Sequence, residues 1–249
     1  MFVHNIDPTL FQIGFIEVRF YGIVYALGFL LTYYFLLWQR DRLKITKDQA
    51  ETLILYTMIG LVAGARLFFF AFERPGTLIT DPLEFFAVWH GGMSFFGGLT
   101  GSIVAVYYFW RKLGSKTRFL AFGDVIVVPA TIALILGRIA NFINSELVGT
   151  VSSVPWCVVF SRVDELCRHP YQIYASVSHM VLLAMLLLKK GRAGSVFWTF
   201  LLTYPVLRFI TDFFRYEPRI LGLTLWQYVS LAFFLIAFWR WNIWRTESK

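Results

Sequence analysis

Residues 119–150 read FLAFGDVIVVPATIALILGRIANFINSELVGT, an apolar stretch that runs into a polar one. The first part, 119–136, approaches the roughly 20 apolar residues that an α-helix needs to cross a bilayer. The second part, 137–150, places Arg138, Asn141, Asn144 and Glu146 within nine residues. The stretch therefore predicts a membrane-spanning helix with a polar cluster at one end.

The composition of the whole chain carries the same signal. Its 249 residues are 58% hydrophobic and 15% charged, with a mean hydropathy of +0.63. A soluble domain has about 25% charged residues. The start, MFVHNIDPTLFQ, lacks the basic region and the small-residue cleavage site of a signal peptide. We expect an all-α, polytopic integral membrane protein whose residues 1–249 form a single membrane-embedded domain.

Apolar segments long enough to span the bilayer recur about seven times. The loops after the first, third and fifth of them, together with the C-terminal segment, are rich in Lys and Arg. By the positive-inside rule the N-terminus lies outside and the C-terminus is cytoplasmic. The net charge of +8 is then a signal of topology, and we expect no nucleic-acid partner. The predicted spans cover about 20–38, 52–72, 92–110, 119–140, 172–188, 195–214 and 224–243.

Polar side chains gather at the outer ends of five predicted spans. A charged group at mid-bilayer costs about 2.5–3.5 kcal/mol on insertion scales, so such groups usually face the bundle interior. Two series keep helical spacing, which places each on one face of its helix. The first holds if its helix extends far enough: Arg138, Asn141 and Ser145. The second places Asp212 where it can brace two arginines: Tyr204, Arg208, Asp212 and Arg215.

Arginine at this level of the bilayer suits an anionic lipid headgroup, because guanidinium binds phosphate through two parallel hydrogen bonds. Backbone N–H groups of a glycine-rich turn at Gly97 and Gly98 would add contacts to the anion. The alternative is structural: ion pairs within the protein, or arginines that extend to the headgroup region. This alternative applies above all to Arg66 and Arg215. A second use of the glycines, in Gly60-x-x-x-Gly64 and Gly97-x-x-x-Gly101, is close helix packing.

GRIANFINSELVGT closely resembles the signature of the prolipoprotein diacylglyceryl transferase family. Further segments are similar to the family's motifs and follow in the same order along nearly the whole chain. They are RFYGIVYALGF (19–29), GAR (64–66), GGMSFFGG (91–98), VPW (154–156), RHPYQIY (168–174), YPVLRFITDFFR (204–215) and GLTLWQY (222–228). The seven predicted spans and their orientation agree with that family.

The resemblance implies transfer of the sn-1,2-diacylglyceryl group of phosphatidylglycerol, or of a related anionic glycerophospholipid, to the lipobox cysteine of a preprolipoprotein. A thioether forms and glycerol 1-phosphate leaves. By position, Arg138 and Arg208 would hold the phosphate, and Asn141 and Tyr21 would orient the headgroup. Tyr204 would line the site, and Glu146 and Gly149 close the signature. The implied lipid-binding set also includes Arg66, Gly97, Gly98 and Asp212, with support from His90, His169, Gln172 and Arg215.

The chain departs from the family pattern at three positions. Phe96 stands where the family usually has a His that has been proposed as the base for the thiol. The base is then another group (His90, Glu146 and Tyr21 are candidates), or none is needed because a thiol with a pKa near 8.5 is a few per cent ionised at neutral pH. Ala175 stands where the family's HPxQLYE ends in Glu. Asp212 replaces a Glu, with a shorter reach.

The remaining expectations concern partners and redox state. The four histidines are scattered and predict no metal site, and we expect no cofactor. Cys157 and Cys167 fall in a predicted outer loop, where a disulfide is a hypothesis. We expect a monomer in the cytoplasmic (inner) membrane, with its site toward the outer leaflet. Two alternatives stay open: a family paralogue with another lipid donor, and a non-enzymatic phospholipid binder or transporter.

Overall fold

The computed structural model describes residues 2–7, 9–13, 16–88, 92–114 and 119–246. Within them, seven helices of 17 to 26 residues account for most of the chain, together with one short α-helix and short 3-10 turns. The helices are α1 Phe20–Leu43, α2 Lys47–Phe72, α3 Thr77–Thr80, α4 Phe95–Leu113, α5 Phe119–Ile143, α6 Tyr171–Leu188, α7 Ser195–Thr211 and α8 Leu225–Thr246.

The long helices follow the predicted spans within a few residues at most ends. Four helical stretches are long and apolar enough to cross a membrane: Lys47–Phe72, Phe119–Ile143, Tyr171–Leu188 and Ser195–Phe214. The chain is therefore a predominantly helical protein with several candidate spans. The number seven and the orientation of the termini stay predictions.

Short strands, which we did not predict, accompany the helices. Strands β1 (Phe2–His4), β4 (Val158–Phe160) and β5 (Cys167–Arg168) form a sheet in which β1 runs parallel to β4 and β5 antiparallel to it. Cys157 and Cys167 form a disulfide beside this sheet, which confirms that hypothesis. Two hairpins complete the strands: β2 (Thr9–Ile13) with β3 (Ile16–Arg19), and β6 (Arg219–Ile220) with β7 (Leu223–Thr224).

The chain divides into two compact units. One, which we call the glycine unit, is Tyr33–Val125; the other, the arginine unit, is Met1–Thr32 with Ile126–Lys249. In the glycine unit, α2 and α4 cross at their glycine motifs. A Cβ at Gly60 would lie 2.5 Å from the Gly101 carbonyl oxygen, and one at Gly64 would collide with the Gly97 carbonyl oxygen. The predicted close packing is confirmed, since only glycine fits at this crossing.

In the arginine unit, polar contacts join α7 to the start of α8. Thr224 and Gln227 form a reciprocal capping box at the start of α8, with the Thr224 N–H donating to Gln227 Oε1 at 2.8 Å. Gln227 Nε2 also donates to the Phe209 carbonyl of α7 at 3.0 Å. Because Gln227 is fully buried, these bonds fix the start of α8 against α7.

Candidate active site

The signature loop, residues 144–150, begins where α5 ends at Ile143. Ser145 and Leu147 have positive φ, an uncommon conformation for residues other than glycine. Our condition that the helix continue to Ser145 is therefore not met, and the expected shared face with Arg138 was wrong at that residue. The Ser145 hydroxyl instead bonds the Nδ1 of His4 at 3.1 Å.

The amide of Asn141 donates to the Glu146 carboxylate at 2.9 Å, and the amide of Asn144 donates to its other oxygen at 3.2 Å. The Glu146 backbone N–H bonds back to the Asn141 carbonyl at 2.9 Å. Glu146 is exposed, whereas Asn141 is buried. Asn141, which the resemblance assigned to the headgroup, is therefore bonded to Glu146, which closes the signature and is exposed.

The signature loop is bonded to two other motifs that are distant in sequence. The Thr150 N–H donates to the Phe214 carbonyl at 2.9 Å, and the His169 N–H to the Thr150 carbonyl at 3.0 Å. The side chain of Gln172, which is fully buried, donates to the Glu146 carbonyl at 2.6 Å. These bonds bring the signature, the His-Pro segment and the end of the arginine helix α7 into one assembly.

Gly149 lies where this assembly is tightest. An ideal Cβ there would lie 2.8 Å from the His169 Cβ and would overlap the His169 carbonyl oxygen. Gly149 also forms an antiparallel bridge with Arg215. Only glycine fits at this position, because the backbone of another segment occupies the space that a side chain would need. His169 itself bonds the Tyr174 hydroxyl through Nδ1 at 3.1 Å.

The arginine helix presents three predicted residues to the interior of its unit. Tyr204, Arg208 and Asp212 are all buried. Arg208 Nε lies 3.5 Å from Asp212 Oδ2, and Arg208 Nη1 lies 3.4 Å from the Tyr204 hydroxyl. The predicted bracing of Arg208 by Asp212 is thus present. The other half of that prediction was wrong: Arg215 pairs with Glu217, at 3.3 Å, because the helix gives way to a 3-10 turn at Asp212–Phe214.

Arg138 is half-buried at the end of α5. Its guanidinium carbon lies 5.7 Å from the centre of the Tyr171 ring, a cation–π contact. Among the residues that the structure describes, no carboxylate pairs with it. Arg138 therefore differs from Arg208, which has the Asp212 carboxylate beside it.

Two side chains that sequence analysis did not assign to the site join these arginines. The Tyr171 hydroxyl donates to Asp212 Oδ1 at 2.6 Å. The His179 ring stacks on that of Tyr204, with ring centres 5.5 Å apart. Both residues lie on α6 and are buried, and their spacing of eight residues places them on one face. In the sequence, the eight-residue spacing of these two polar aromatic residues within an apolar segment was the feature that could have pointed to them.

Arg66 requires a correction, because its guanidinium is occupied within the glycine unit. Arg66 is 1% exposed and donates to the carbonyls of Phe85 at 3.0 Å, of Gly92 at 3.3 Å and of Glu84. It also lies 3.8 Å from the Glu84 carboxylate. The expected role in lipid binding gives way to the structural alternative: Arg66 anchors the segment between α2 and α4.

Gly97 and Gly98 also differ from expectation. They lie in the first turn of α4, which Ser94 caps, rather than in a turn with open N–H groups. The Gly97 N–H donates to Ser94 Oγ at 3.3 Å and the Gly98 N–H to the Ser94 carbonyl at 3.0 Å. Their N–H groups are satisfied by the protein, so contact with lipid stays a prediction. The side chain of Tyr21, and His90, fall outside the described residues.

Outside the spans, two carboxyl groups near the signature loop have altered acidity. Hydrogen bonding from Arg168 holds the pKa of Asp164 below its usual value, and Arg168 also donates to the Gly149 carbonyl at 3.1 Å. Burial raises the pKa of Glu217. Among the described residues, no group of three His, Cys, Asp or Glu side chains is arranged to hold a metal ion.

Comparison with known proteins assigns the family. A model described as prolipoprotein diacylglyceryl transferase matches residues 8–243. The chain belongs to this family. A phosphatidylglycerol–prolipoprotein diacylglyceryl transferase of Geobacter sulfurreducens is 39% identical over 243 residues, 93% of each chain. Proteins of the same name from Pseudoalteromonas translucida and Polynucleobacter necessarius are 40% identical over 225 residues (88% of this chain, 83% of the relative) and 34% identical over 268 residues (100% of both).

Besides Asp212, the two other departures from the family pattern also lie in the interior of the protein. Phe96 is fully buried in the first turn of α4, next to the ring of Phe95. Ala175 is 2% exposed on α6, one turn after Tyr171. Neither position carries a group that can take up a proton. Within this family member, any base for the thiol therefore comes from elsewhere or is dispensable.

Proposed function

We propose that the protein is a transferase that moves the sn-1,2-diacylglyceryl group of phosphatidylglycerol, or of a related anionic glycerophospholipid, to the lipobox cysteine of preprolipoproteins. Membership of the family supports the reaction, and the relatives' names give the donor and the acceptor. The proposed mechanism rests on one cluster of contacts. Arg138 of the signature lies against the Tyr171 ring, the Tyr171 hydroxyl bonds Asp212, and Asp212 pairs with Arg208.

In the proposed reaction the cysteine thiolate attacks the glycerol carbon that bears the phosphate. A carbon–sulfur bond forms, the bond from that carbon to the phosphate oxygen breaks, and glycerol 1-phosphate leaves with the electron pair. The proton of the thiol is released to solvent or to the leaving phosphate. Charge therefore develops on a phosphate oxygen, and guanidinium groups placed beforehand lower the barrier by stabilising it.

Arg138 and Arg208 would take different parts in this step. Arg138 has no carboxylate partner in the described structure and would bind the phosphate directly. Arg208 is held by Asp212, so its guanidinium is oriented before the lipid arrives. Tyr204 would line the same site. Asn141, in the last turn of α5, would orient the headgroup, and Glu146 of the signature loop is bonded to it. Tyr21 retains its expected role from the resemblance.

A dedicated base is not required by this proposal. A thiol with a pKa near 8.5 is a few per cent ionised at neutral pH, and cysteine thiolate is strongly nucleophilic. The replacement of the family's His by buried Phe96 is consistent with this. If a base is missing, Phe96→His will raise kcat; if the site works without one, it will not.

We further propose seven spans, with the N-terminus outside, the C-terminus cytoplasmic and the site toward the outer leaflet of the inner membrane. The basic loops and the seven long helices support this arrangement. We also propose that the chain acts as one membrane-embedded domain and as a monomer.

The test incubates purified protein, phosphatidylglycerol and a lipobox peptide, and follows the peptide by mass spectrometry. We expect a diacylglyceryl increment on the cysteine. Arg138→Ala and Arg208→Ala should each lower turnover at least about 100-fold, the effect of removing one donor from a developing anion. Arg162→Ala is the matched control, since Arg162 is exposed and pairs with Asp7 outside the site.

Each other result has a distinct meaning. Product with another anionic lipid and none with phosphatidylglycerol would identify a paralogue with a different donor. Binding of phospholipid without any thioether would favour a carrier. Wild-type turnover in both Arg138→Ala and Arg208→Ala would refute the headgroup assignment.

A further inference from the structure

Tyr171 is the first residue of α6, and its side chain is fully buried. The preceding His-Pro dipeptide fixes its place, because Pro170 precedes the helix and the Tyr171 N–H bonds the His169 carbonyl at 2.8 Å. In the family's HPxQLYE pattern Tyr171 occupies the variable position. Its contacts are therefore a property of this chain rather than of the motif.

The hydroxyl of Tyr171 donates to Asp212 Oδ1 at 2.6 Å, while Asp212 Oδ2 lies 3.5 Å from Arg208 Nε. Asp212 is completely buried, and a buried carboxylate needs partners for its charge. Its two oxygens are thus divided between a phenol and a guanidinium. The hydrogen bond at Oδ1 restrains the rotation of the carboxylate and keeps Oδ2 toward Arg208, with which it makes an ion-pair contact.

The ring of Tyr171 contacts two further guanidinium groups. The guanidinium carbons of Arg138 and Arg215 lie 5.7 and 5.9 Å from its centre. The π face of an aromatic ring carries partial negative charge and attracts cations. One phenol therefore contacts two arginines through its ring and orients a third through Asp212.

We propose that Tyr171 is a positioning residue for the anion site: its hydroxyl fixes Asp212, and through it Arg208, in the orientation that binds a phosphate monoester or diester. This inference rests on the proposed function, in which that phosphate belongs to the lipid and then to the leaving glycerol 1-phosphate. Ala175, one turn further along α6, stands where the family has Glu and has no polar group. In this chain it is the Tyr171 hydroxyl on α6 that makes a polar contact with Asp212 at the end of α7.

The test is Tyr171→Phe, which removes the hydroxyl and keeps the ring between Arg138 and Arg215. Binding of glycerol 1-phosphate to the purified full-length protein is measured by calorimetry, and its inhibition of turnover is measured in parallel. We expect the dissociation constant and the inhibition constant to rise about tenfold. Calorimetry also gives the binding stoichiometry: protein lost to irreversible unfolding lowers the stoichiometry and leaves the dissociation constant of the folded protein unchanged. A rise in the dissociation constant at unchanged stoichiometry, with thermal unfolding showing that the variant is folded at the assay temperature, is therefore the signature of positioning.

The matched control is Tyr228→Phe, which removes a hydroxyl that donates to the Ile220 carbonyl outside the site. We expect its dissociation constant to equal that of the wild type. In an Arg208→Ala background, Tyr171→Phe should weaken binding less than twofold further, because the group it orients is gone. A full tenfold additional loss there would show that Tyr171 does not act through Arg208.

The outcomes separate this inference from the proposed function. A wild-type protein that binds glycerol 1-phosphate but forms no thioether refutes the transfer reaction, and the comparison with Tyr171→Phe still decides the positioning role. Equal affinity in the wild type and Tyr171→Phe overturns that role even if the wild type turns over. A wild-type protein that binds no glycerol 1-phosphate overturns it as well.

Discussion

Substitution of Gly149 by Ala gives the sharpest prediction for the signature loop. The new Cβ would lie 2.8 Å from the Cβ of His169, whereas carbon atoms in contact prefer about 3.5–4.0 Å. The two segments must therefore separate by at least about 0.7 Å. They are held together by the bond from the His169 N–H to the Thr150 carbonyl, and the Thr150 N–H is itself bonded to Phe214.

The magnitude follows from these contacts. Overpacking costs about 1–3 kcal/mol, and weakening a backbone hydrogen bond adds about 1 kcal/mol. We expect Gly149→Ala to lower the free energy of unfolding by about 2–4 kcal/mol. A displacement approaching 1 Å near reacting groups costs about 100-fold in rate, so turnover should fall by that factor. Thermal unfolding and turnover per folded molecule measure the two effects.

Gly137→Ala is the control within the same signature. Gly137 lies in α5, and an added Cβ there would meet no atom within 4 Å outside its own helical backbone and chain neighbours. Ala is favoured over Gly in a helix by about 0.5–1 kcal/mol, so we expect unchanged or slightly raised stability and near-normal turnover. The reasoning fails if Gly149→Ala matches the wild type, or if both variants lose activity equally.

Three further predictions concern the rest of the molecule. Gly64→Ala should destabilise the protein by about 1–3 kcal/mol in thermal unfolding, because the helices at its crossing must separate. Gly98→Ala, whose Cβ would have ordinary contacts at 3.4–3.6 Å, should be near neutral. Replacing Cys157 and Cys167 by Ser should loosen the segment 150–168 by up to about 3 kcal/mol, measured by hydrogen exchange, and equal protection in both proteins would contradict this. Burial lowers the pKa of His4, so the folded strand favours the neutral imidazole and should weaken as the pH falls below about 6.5, the ordinary value. The protection factors at 158–160, in which the intrinsic pH dependence of exchange is divided out, should fall on acidification in the wild type and change less with pH in His4→Gln.

Local features of the sequence were sufficient to predict the helices and some of the contacts between them. An apolar run of about 20 residues predicts a helix whatever surrounds it, because a bilayer leaves the backbone no other hydrogen-bond partners. Glycines four residues apart predicted the close crossing of α2 and α4, since the lack of a side chain acts at the contact itself. The spacing of Arg208 and Asp212 likewise predicted their ion pair.

The partners of each polar group depended on elements far apart in the chain. Arg66 and Arg208 look alike in sequence, each an arginine within an apolar run. One binds the carbonyls of a following segment, and the other faces Asp212 beside the Tyr171 hydroxyl contributed by α6. The pairing of β1 with β4 could not be predicted from local sequence either, because a three-residue strand is too short to show an alternating hydrophobic pattern. The sequence by itself determined which segments are long and apolar and which end of each carries polar residues, because hydropathy is a property of each residue in turn. Only the tertiary structure decided that Arg66 binds the carbonyls of a following segment and that the Tyr171 hydroxyl of α6 meets Asp212, because the further partners of a buried charge come from elements distant in sequence.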